Sequence, residues 1–282
     1  MSLAGRIGIV FAKKWIGGVT IPEVLRESKR LNRIGEGVVV NYLGEEITGP
    51  AEVEKTTETY VAIINGMDGK DIMGSIAVKP TQLGLNISYG RFFSNYNKIV
   101  TYAGRSGRFV WMDMEDYTTV NSSIRAYLNI VRRHKNAGIC IQAKLLRSLN
   151  DVKHIVKRKG IIRLVKGAYP TRDKITYEHK NEVDNNYIEC MEYLFKNAAD
   201  FMIATHDDKM IDYARKLERK YHKKVMFGML KGIRPRLALE LASKRENTYI
   251  YVPFGDAWLS YSIRRLKELE HSSLIMRSII SS

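Results

Sequence analysis

The stretch Ile162-Arg163-Leu164-Val165-Lys166-Gly167-Ala168-Tyr169 is the part of the chain on which the fold turns. Apolar residues open it, Arg163 and Lys166 interrupt them, and two small residues and an aromatic lead to Pro170. An unpaired charge is costly to bury, so a strand lying wholly inside a core would rarely carry Arg163 and Lys166. Gly167 and Ala168 allow a backbone or a flat ligand to come close. Two readings fit: a strand that leaves the core and ends at an anionic, planar ligand, or an edge strand with solvated charges.

The same grammar recurs on both sides. Short apolar runs at 38–40, 75–78, 109–112, 138–141, 201–204, 225–227 and 249–252 join the opening stretch to make eight. Helical segments separate them. Ile124, Tyr127, Leu128 and Val131 stand at i, i+3, i+4, i+7, and Tyr187, Ile188, Met191 and Leu194 repeat the spacing. Met210, Tyr213, Ala214, Leu217 and Tyr221 form another stripe, and a last helix runs from Asp256 to about Leu269. Strands alternating with helices argue for a parallel sheet. Eight units in 282 residues argue for closure into a (βα)8 TIM-like barrel of the α/β class. The first strand-to-helix turn also lacks the glycine fingerprint of a dinucleotide fold. Upstream, Thr20, Pro22 and Glu23 have the spacing of a capped helix start, with Val24, Leu25, Ser28 and Leu31 on its buried face. Residues 1–35 are therefore expected to be an N-terminal helical extension against the bottom or side of a barrel over 36–282.

Composition bounds the function. Hydrophobic residues make up 45% and charged residues 27%, room for a sizeable core. No apolar run approaches membrane-spanning length, and the short one at 7–12 is followed by lysines rather than a cleavage site. Cys140 and Cys190 stand far apart, which fits a reducing cytoplasm and neither a disulfide scaffold nor a metal cluster. The net charge of +16 favours anionic partners. Enrichment in Lys, Arg and Glu also accompanies heat stability. The basic residues are spread along the chain, so no specific nucleic acid is expected, while a peripheral position on an anionic membrane stays open.

In such barrels the chemistry lies at the C-terminal ends of the strands. Those ends read Glu45, Lys79, Asp113, Gln142, Arg163 with Lys166, His206, Leu230 and Tyr251. Singly each has a plain explanation: Lys79 and Asp113 as an ion pair, His206 as a loop histidine, Tyr251 as a rim aromatic, Gln142 as a cap. A barrel would bring them to one mouth. On the last helix Tyr261, Arg264 and Arg265 share a face, suited either to bidentate capture of a carboxylate or to solvation. No histidine has the partner spacing zinc needs, and no serine sits in a nucleophile turn. The mouth suits an anionic cofactor and a carboxylate substrate.

Several motifs, in order, resemble the FAD-dependent proline dehydrogenases. They are 78–84 (VKPTQLG), Asp113-Met114-Glu115, 163–169 (RLVKGAY), Ala204-Thr205-His206, Met229-Leu230 with Gly232-Ile233, and 251–255 (YVPFG) followed by Tyr261 and Arg264-Arg265-Leu266. The resemblance implies a distorted (βα)8 barrel with FAD at the mouth and the last helix over the substrate. It implies oxidation of L-proline to pyrroline-5-carboxylate, with hydride passing to the flavin N5 and electrons leaving to a quinone. Carried over, Arg264, Arg265 and Lys79 would hold the substrate carboxylate, and Tyr169, Leu230, Tyr251 and Tyr261 would wall the ring. Arg163 would sit at the flavin N5 edge, with Gln142, Val165, Lys166, Gly167, Ala168, Thr205 and His206 around the rest of FAD. Asp113 would support Lys79, and Glu45 would close an ion-pair gate with Arg163. Lys144, Asn41 and Pro170 depart from the family pattern. Two other readings remain: a related flavin-barrel oxidoreductase acting on hydroxyproline or linked to folate, and a non-catalytic basic binding module.

Overall fold

A computed structural model describes residues 14–169, 174–244 and 246–270, the side chains of Arg264 and of 266–270 excepted. Pro170 lies outside the described residues, as do the first 13 and last 12. Eight parallel strands, β1 (Gly37–Tyr42), β2 (Gly74–Val78), β3 (Val110–Met112), β4 (Ala137–Gln142), β5 (Ile161–Val165), β6 (Phe201–Ala204), β7 (Met226–Leu230) and β8 (Asn247–Phe254), pair in chain order, and β8 closes on β1. Helices α2 (Pro50–Gly69), α3 (Tyr89–Arg105), α4 (Val120–Val131), α5 (Ser148–Val156), α6 (Lys180–Asn197), α7 (Asp208–Tyr221), α8 (Pro235–Ser243) and α9 (Trp258–Glu270) follow them in turn. The expected (βα)8 barrel is the fold. All strand C-termini meet at one end, the mouth, and the helix-to-strand turns meet at the other, the base.

Strands walled by helices outside and side chains inside are mostly apolar, as in β4, where every residue is buried. The main core lies between sheet and helices. A second cluster of Val39, Ala77, Trp111 and Met202 plugs the barrel interior and floors the mouth. Helix α3 has no counterpart in the sequence reading. Its buried face, Phe92, Tyr96, Ile99, Val100 and Ala103, has helical period. Gly90 before them and Ser94, Asn95 and Asn97 between them are poor helix formers that mask it. Ser88 caps its start by accepting from the Arg91 N–H at 3.1 Å.

Helix α1 (Ile21–Arg33) precedes β1 and buries Val24, Leu25, Ser28 and Leu31. The Glu23 carboxylate accepts from the Val19 and Thr20 N–H groups at 2.8 and 3.0 Å, fixing the helix start. The helix packs along the side of the barrel against β1, β8 and α2. The segment before it runs to the mouth, where Trp15 and Ile16 cluster with Leu43, Ile233 and Tyr261 of α9.

Candidate active site

The mouth opens on a cavity of about 600 Å³. Its floor is set by alternation along the strands: Cys140 and Gln142, Arg163 and Val165, Met202 and Ala204, Tyr249 and Tyr251 are i, i+2 pairs that all line it. The register places Cys140 beside Arg163 and Arg163 beside Met202.

A network of charges occupies one side. Asp113, at the end of β3, accepts from the Arg163 guanidinium through one oxygen and from the Tyr251 hydroxyl at 2.7 Å through the other. Arg163 is 5% exposed and lies over the rings of Trp111 and Tyr251, with centroids 5.4 and 5.5 Å away. Burial disfavours its charge, but Asp113, Cys140 and Tyr251 together more than offset this and hold the pKa above the ordinary value. Lys79 Nζ lies 3.1 Å from Glu45, 3.1 Å from the Tyr169 hydroxyl and 3.7 Å from Asp113. Burial works against the ammonium here too, and the oxygens of Tyr169, Tyr251, Asp113 and Glu45 hold its pKa well above the usual lysine range. The Tyr169 hydroxyl donates to Glu45 at 2.9 Å. Burial, the largest influence on both phenols, raises Tyr169 and Tyr251, so they stay protonated donors.

Glu45 thus stands on Lys79, not on Arg163 as expected. The reason is topological. Glu45 follows β1 and Lys79 follows the adjacent β2, whereas Arg163 lies on β5 across the barrel and already has Asp113.

The opposite wall is polar and incompletely satisfied. The Gln142 amide donates to the Glu115 and Met114 carbonyls at 2.7 and 3.2 Å, while its Oε1 is buried with no hydrogen-bond partner. His206 Nε2 accepts from the Leu230 N–H at 3.0 Å, leaving the ring proton on Nδ1, which is buried and also without a partner. Burial first, then the charges of Arg234 and Arg265, push the His206 pKa down to about 3, so the ring is a neutral donor. Lys166 joins Asp184 and Asp207, the latter at 2.8 Å. Thr205 Oγ1 accepts from the Asp207 N–H at 3.2 Å. Gly167 has φ of 108°, and a Cβ there would lie 2.9 Å from Gln142 Oε1. Above them, Tyr261 and Arg265 of α9 are both 8% exposed, with the guanidinium 5.3 Å from the ring centroid.

Glu45, Lys79, Asp113, Gln142, Arg163 and Val165 line this cavity, and so do Lys166, Gly167, Ala168, Tyr169, Thr205 and His206. Leu230, Tyr251, Tyr261 and Arg265 complete the set. Arg264 falls on α9, and its side chain lies outside the described residues. The family model described as "Proline dehydrogenase" matches residues 24–277. The chain belongs to the proline dehydrogenase family. Proline dehydrogenase 2 of Bacillus subtilis (strain 168) is 30% identical over 262 residues, 92% of this chain and 86% of that relative. The proline dehydrogenase of Deinococcus radiodurans is 28% identical over 265 residues, 91% of this chain and 86% of its own length. Among solved structures, proline utilization A (PutA) of Bdellovibrio bacteriovorus, inactivated by N-propargylglycine, matches with a TM-score of 0.87 at 22% identity. PutA of Bradyrhizobium japonicum matches with 0.82 at 18%. Both matches cover 97% of this chain, which spans only about a third of each PutA chain, 34% and 32%. At that identity they show the shared fold.

The sequence reading gives no site role to Met114, Cys140, Met202 and Tyr249, which also line the cavity in this family member, or to Trp111 beneath Arg163, and it names Asn41 only as a departure from the family pattern. Their signal was present in the two-residue alternation, but inward and outward residues of a fully buried strand look alike in sequence. Lys144, a departure from the family pattern, donates to the Tyr169 carbonyl and fastens the loop after β5.

Proposed function

We propose that this chain is a monofunctional, FAD-dependent proline dehydrogenase that oxidises L-proline to pyrroline-5-carboxylate. One observation carries the reading: a single cavity is lined by two cations suited to a carboxylate, Lys79 and Arg265, and by a wall of buried polar atoms that await partners, Gln142 Oε1 and His206 Nδ1. An acceptor and a neutral donor with nothing to bond are costly to leave buried, and a heteroaromatic cofactor with both kinds of group would satisfy them. The close approach at Gly167 and the cations of Arg163 and Lys166 suit a flat, anionic group. FAD therefore fits the residues present, with Gln142, Val165, Lys166, Gly167, Ala168, Thr205 and His206 holding it. When bound, FAD supplies the hydride acceptor.

The chain's own residues bind, orient and exclude water. Lys79, Arg264 and Arg265 fix the substrate carboxylate, and double charge capture restricts the ring to one pose. Tyr169, Leu230, Tyr251 and Tyr261 wall the ring and keep the site dry, which strengthens each charge interaction inside. Arg163, immobilised by Asp113 and the two aromatic faces, keeps a fixed positive charge at the reacting end and favours negative charge that develops there. Proline loses a hydride from the ring carbon beside nitrogen and a proton from nitrogen. Substrate entering as the free amine needs no strong base. Electrons pass to a quinone-type acceptor.

We place the boundary between extension and barrel at residue 35, between the end of α1 and the start of β1. A cytoplasmic location with peripheral association at the inner face of an anionic membrane belongs to the same proposal. No helix among the described residues is long and apolar enough to cross a membrane. The deciding measurement is the visible spectrum of purified protein. A yellow flavin that bleaches on addition of L-proline, without nicotinamide, is expected. A colourless protein inert to proline with FAD supplied overturns the reading, and faster bleaching by hydroxyproline reassigns the substrate.

A further inference from the structure

Two buried residues that do not line the cavity hold three of the loops that do. Glu115, two residues after Asp113, is 1% exposed, and Thr81, two residues after Lys79, is wholly buried. Glu115 Oε2 accepts from the Thr81 N–H at 2.8 Å, and Oε1 accepts from the Thr81 hydroxyl at 2.7 Å. With its proton turned to Glu115, Thr81 Oγ1 accepts in turn from the Glu46 N–H at 3.0 Å. The next residue, Gln82, donates from Nε2 to the Tyr42 carbonyl at 2.6 Å. Tyr42 and Glu46 bracket the short segment that carries Glu45. The loops bearing Glu45, Lys79 and Asp113 are therefore tied together behind the charges they present.

The residue types are the ones this tie requires. Thr81 directs two donors at one partner, and a carboxylate accepts at both oxygens, whereas a glutamine would accept at one and donate at the other. Burying a carboxylate is costly unless it is well bonded, so filling space does not explain Glu115. Glu46 holds φ of 58°, in the left-handed region, which a glutamate keeps only where its surroundings fix it. The Thr81 bond to its N–H fixes it, together with the Asn86 amide, which donates to the Glu46 carboxylate at 2.9 Å. On the Lys79 side the turn is closed by the Leu83 N–H on the Lys79 carbonyl at 3.2 Å and stiffened by the ring of Pro80. A long lysine side chain set among several oxygens is aimed by the backbone it leaves, and Thr81 holds that backbone.

We infer that Glu115 is a positioning residue for the substrate: through Thr81 it keeps Lys79 and Glu45 at a fixed separation and so presents the lysine to the substrate carboxylate. The inference rests on the proposed role of Lys79 as a ligand of that carboxylate. The competing account is that Glu115 only caps the short helical turn Thr81–Leu83 and acts on stability alone.

The test uses the full-length holoenzyme. Steady-state KM and kcat for proline are measured beside the Kd of cyclopentanecarboxylate, a ring carboxylate with no amine to oxidise, read from the flavin absorbance. Glu115→Gln and Thr81→Val should each raise KM and Kd about tenfold, with kcat near the wild-type value. Thr81→Ser keeps both bonds and should return Kd to the wild-type value. In a Lys79→Met background Glu115→Gln should change Kd by no more than about twofold, because its effect passes through the missing lysine. A lower melting temperature with KM and Kd intact overturns the inference. So does a loss of affinity by the same factor with and without Lys79, and so does a loss of kcat at unchanged KM. If Glu115→Gln does not fold, Thr81→Val carries the same comparison. A wild type that binds cyclopentanecarboxylate but keeps its flavin oxidised with proline overturns the proposed reaction and spares this inference, which Kd then decides. A Kd unchanged by Lys79→Met overturns the role of Lys79 and the inference with it.

Discussion

Arg163 and Lys79 look alike in the sequence, each a cation at the end of an apolar run, yet their partners divide their tasks. Arg163 is locked between Asp113 and two aromatic faces, whereas Lys79 shares Glu45 with the Tyr169 hydroxyl and Asp113 with Arg163 and the Tyr251 hydroxyl. Arg163→Ala should therefore lower kcat by about a hundredfold or more with flavin partly retained. Arg264→Ala should raise KM for proline about tenfold to a hundredfold with a smaller effect on kcat. Steady-state kinetics and the flavin spectrum of both variants check this, and the reverse pattern would exchange the roles. Glu45 is an internal carboxylate on the lysine that the substrate carboxylate needs. Glu45→Gln weakens that competition, so KM for proline should fall several-fold while kcat changes little. A rise in KM would mean that Glu45 supports substrate binding.

Three buried tyrosines show how the helices are fastened to the barrel. Tyr60 on α2 donates to the Ala77 carbonyl at 2.9 Å, and Tyr187 on α6 donates to the Leu164 carbonyl at 3.1 Å. The Tyr127 hydroxyl on α4 accepts from the Ile161 N–H at 2.7 Å, at the start of the strand that carries Arg163. The helical stripes identified Tyr127 and Tyr187 as buried, but the hydroxyl partners of all three belong to strands distant in sequence. Tyr127→Phe keeps the ring and leaves the Ile161 N–H without this acceptor, so it should cost about 1–3 kcal/mol. Chemical denaturation measures that loss. An unchanged midpoint would show that the N–H finds water or another acceptor. Alternation and stripes made seven of the barrel helices legible, whereas α3 was hidden by its glycine and asparagines.

At the scale of the whole molecule, the base of the barrel, opposite the mouth, holds a buried acid. Glu36, between α1 and β1, is 3% exposed, and burial pushes its pKa up to about 7 against the opposing pull of Arg30. A carboxyl raised in the folded state binds more protons there than in the unfolded chain between the ordinary value of 4.5 and about 7. Its contribution to stability is thus full below 4.5 and is lost as pH rises through about 7. Glu36→Gln should remove that decline and leave the variant about 1–2 kcal/mol more stable than wild type at pH 8, after screening by Arg30 and solvent. Thermal melts of both proteins at pH 5 and pH 8 supply the comparison. A gap that does not widen with pH would mean Glu36 has found a partner for its charge.

The sequence by itself determined the eight strands, seven of the barrel helices, the closed barrel and the polar strand ends, because period, small-residue breaks and charges at the ends of apolar runs are local signals. Tertiary structure decided which charge meets which. Glu45 could not be assigned to Lys79 without knowing that β1 and β2 are neighbours while β5 lies across the barrel. It decided which strand residues turn inward, since in a strand buried on both faces Cys140 and Ile141 read alike.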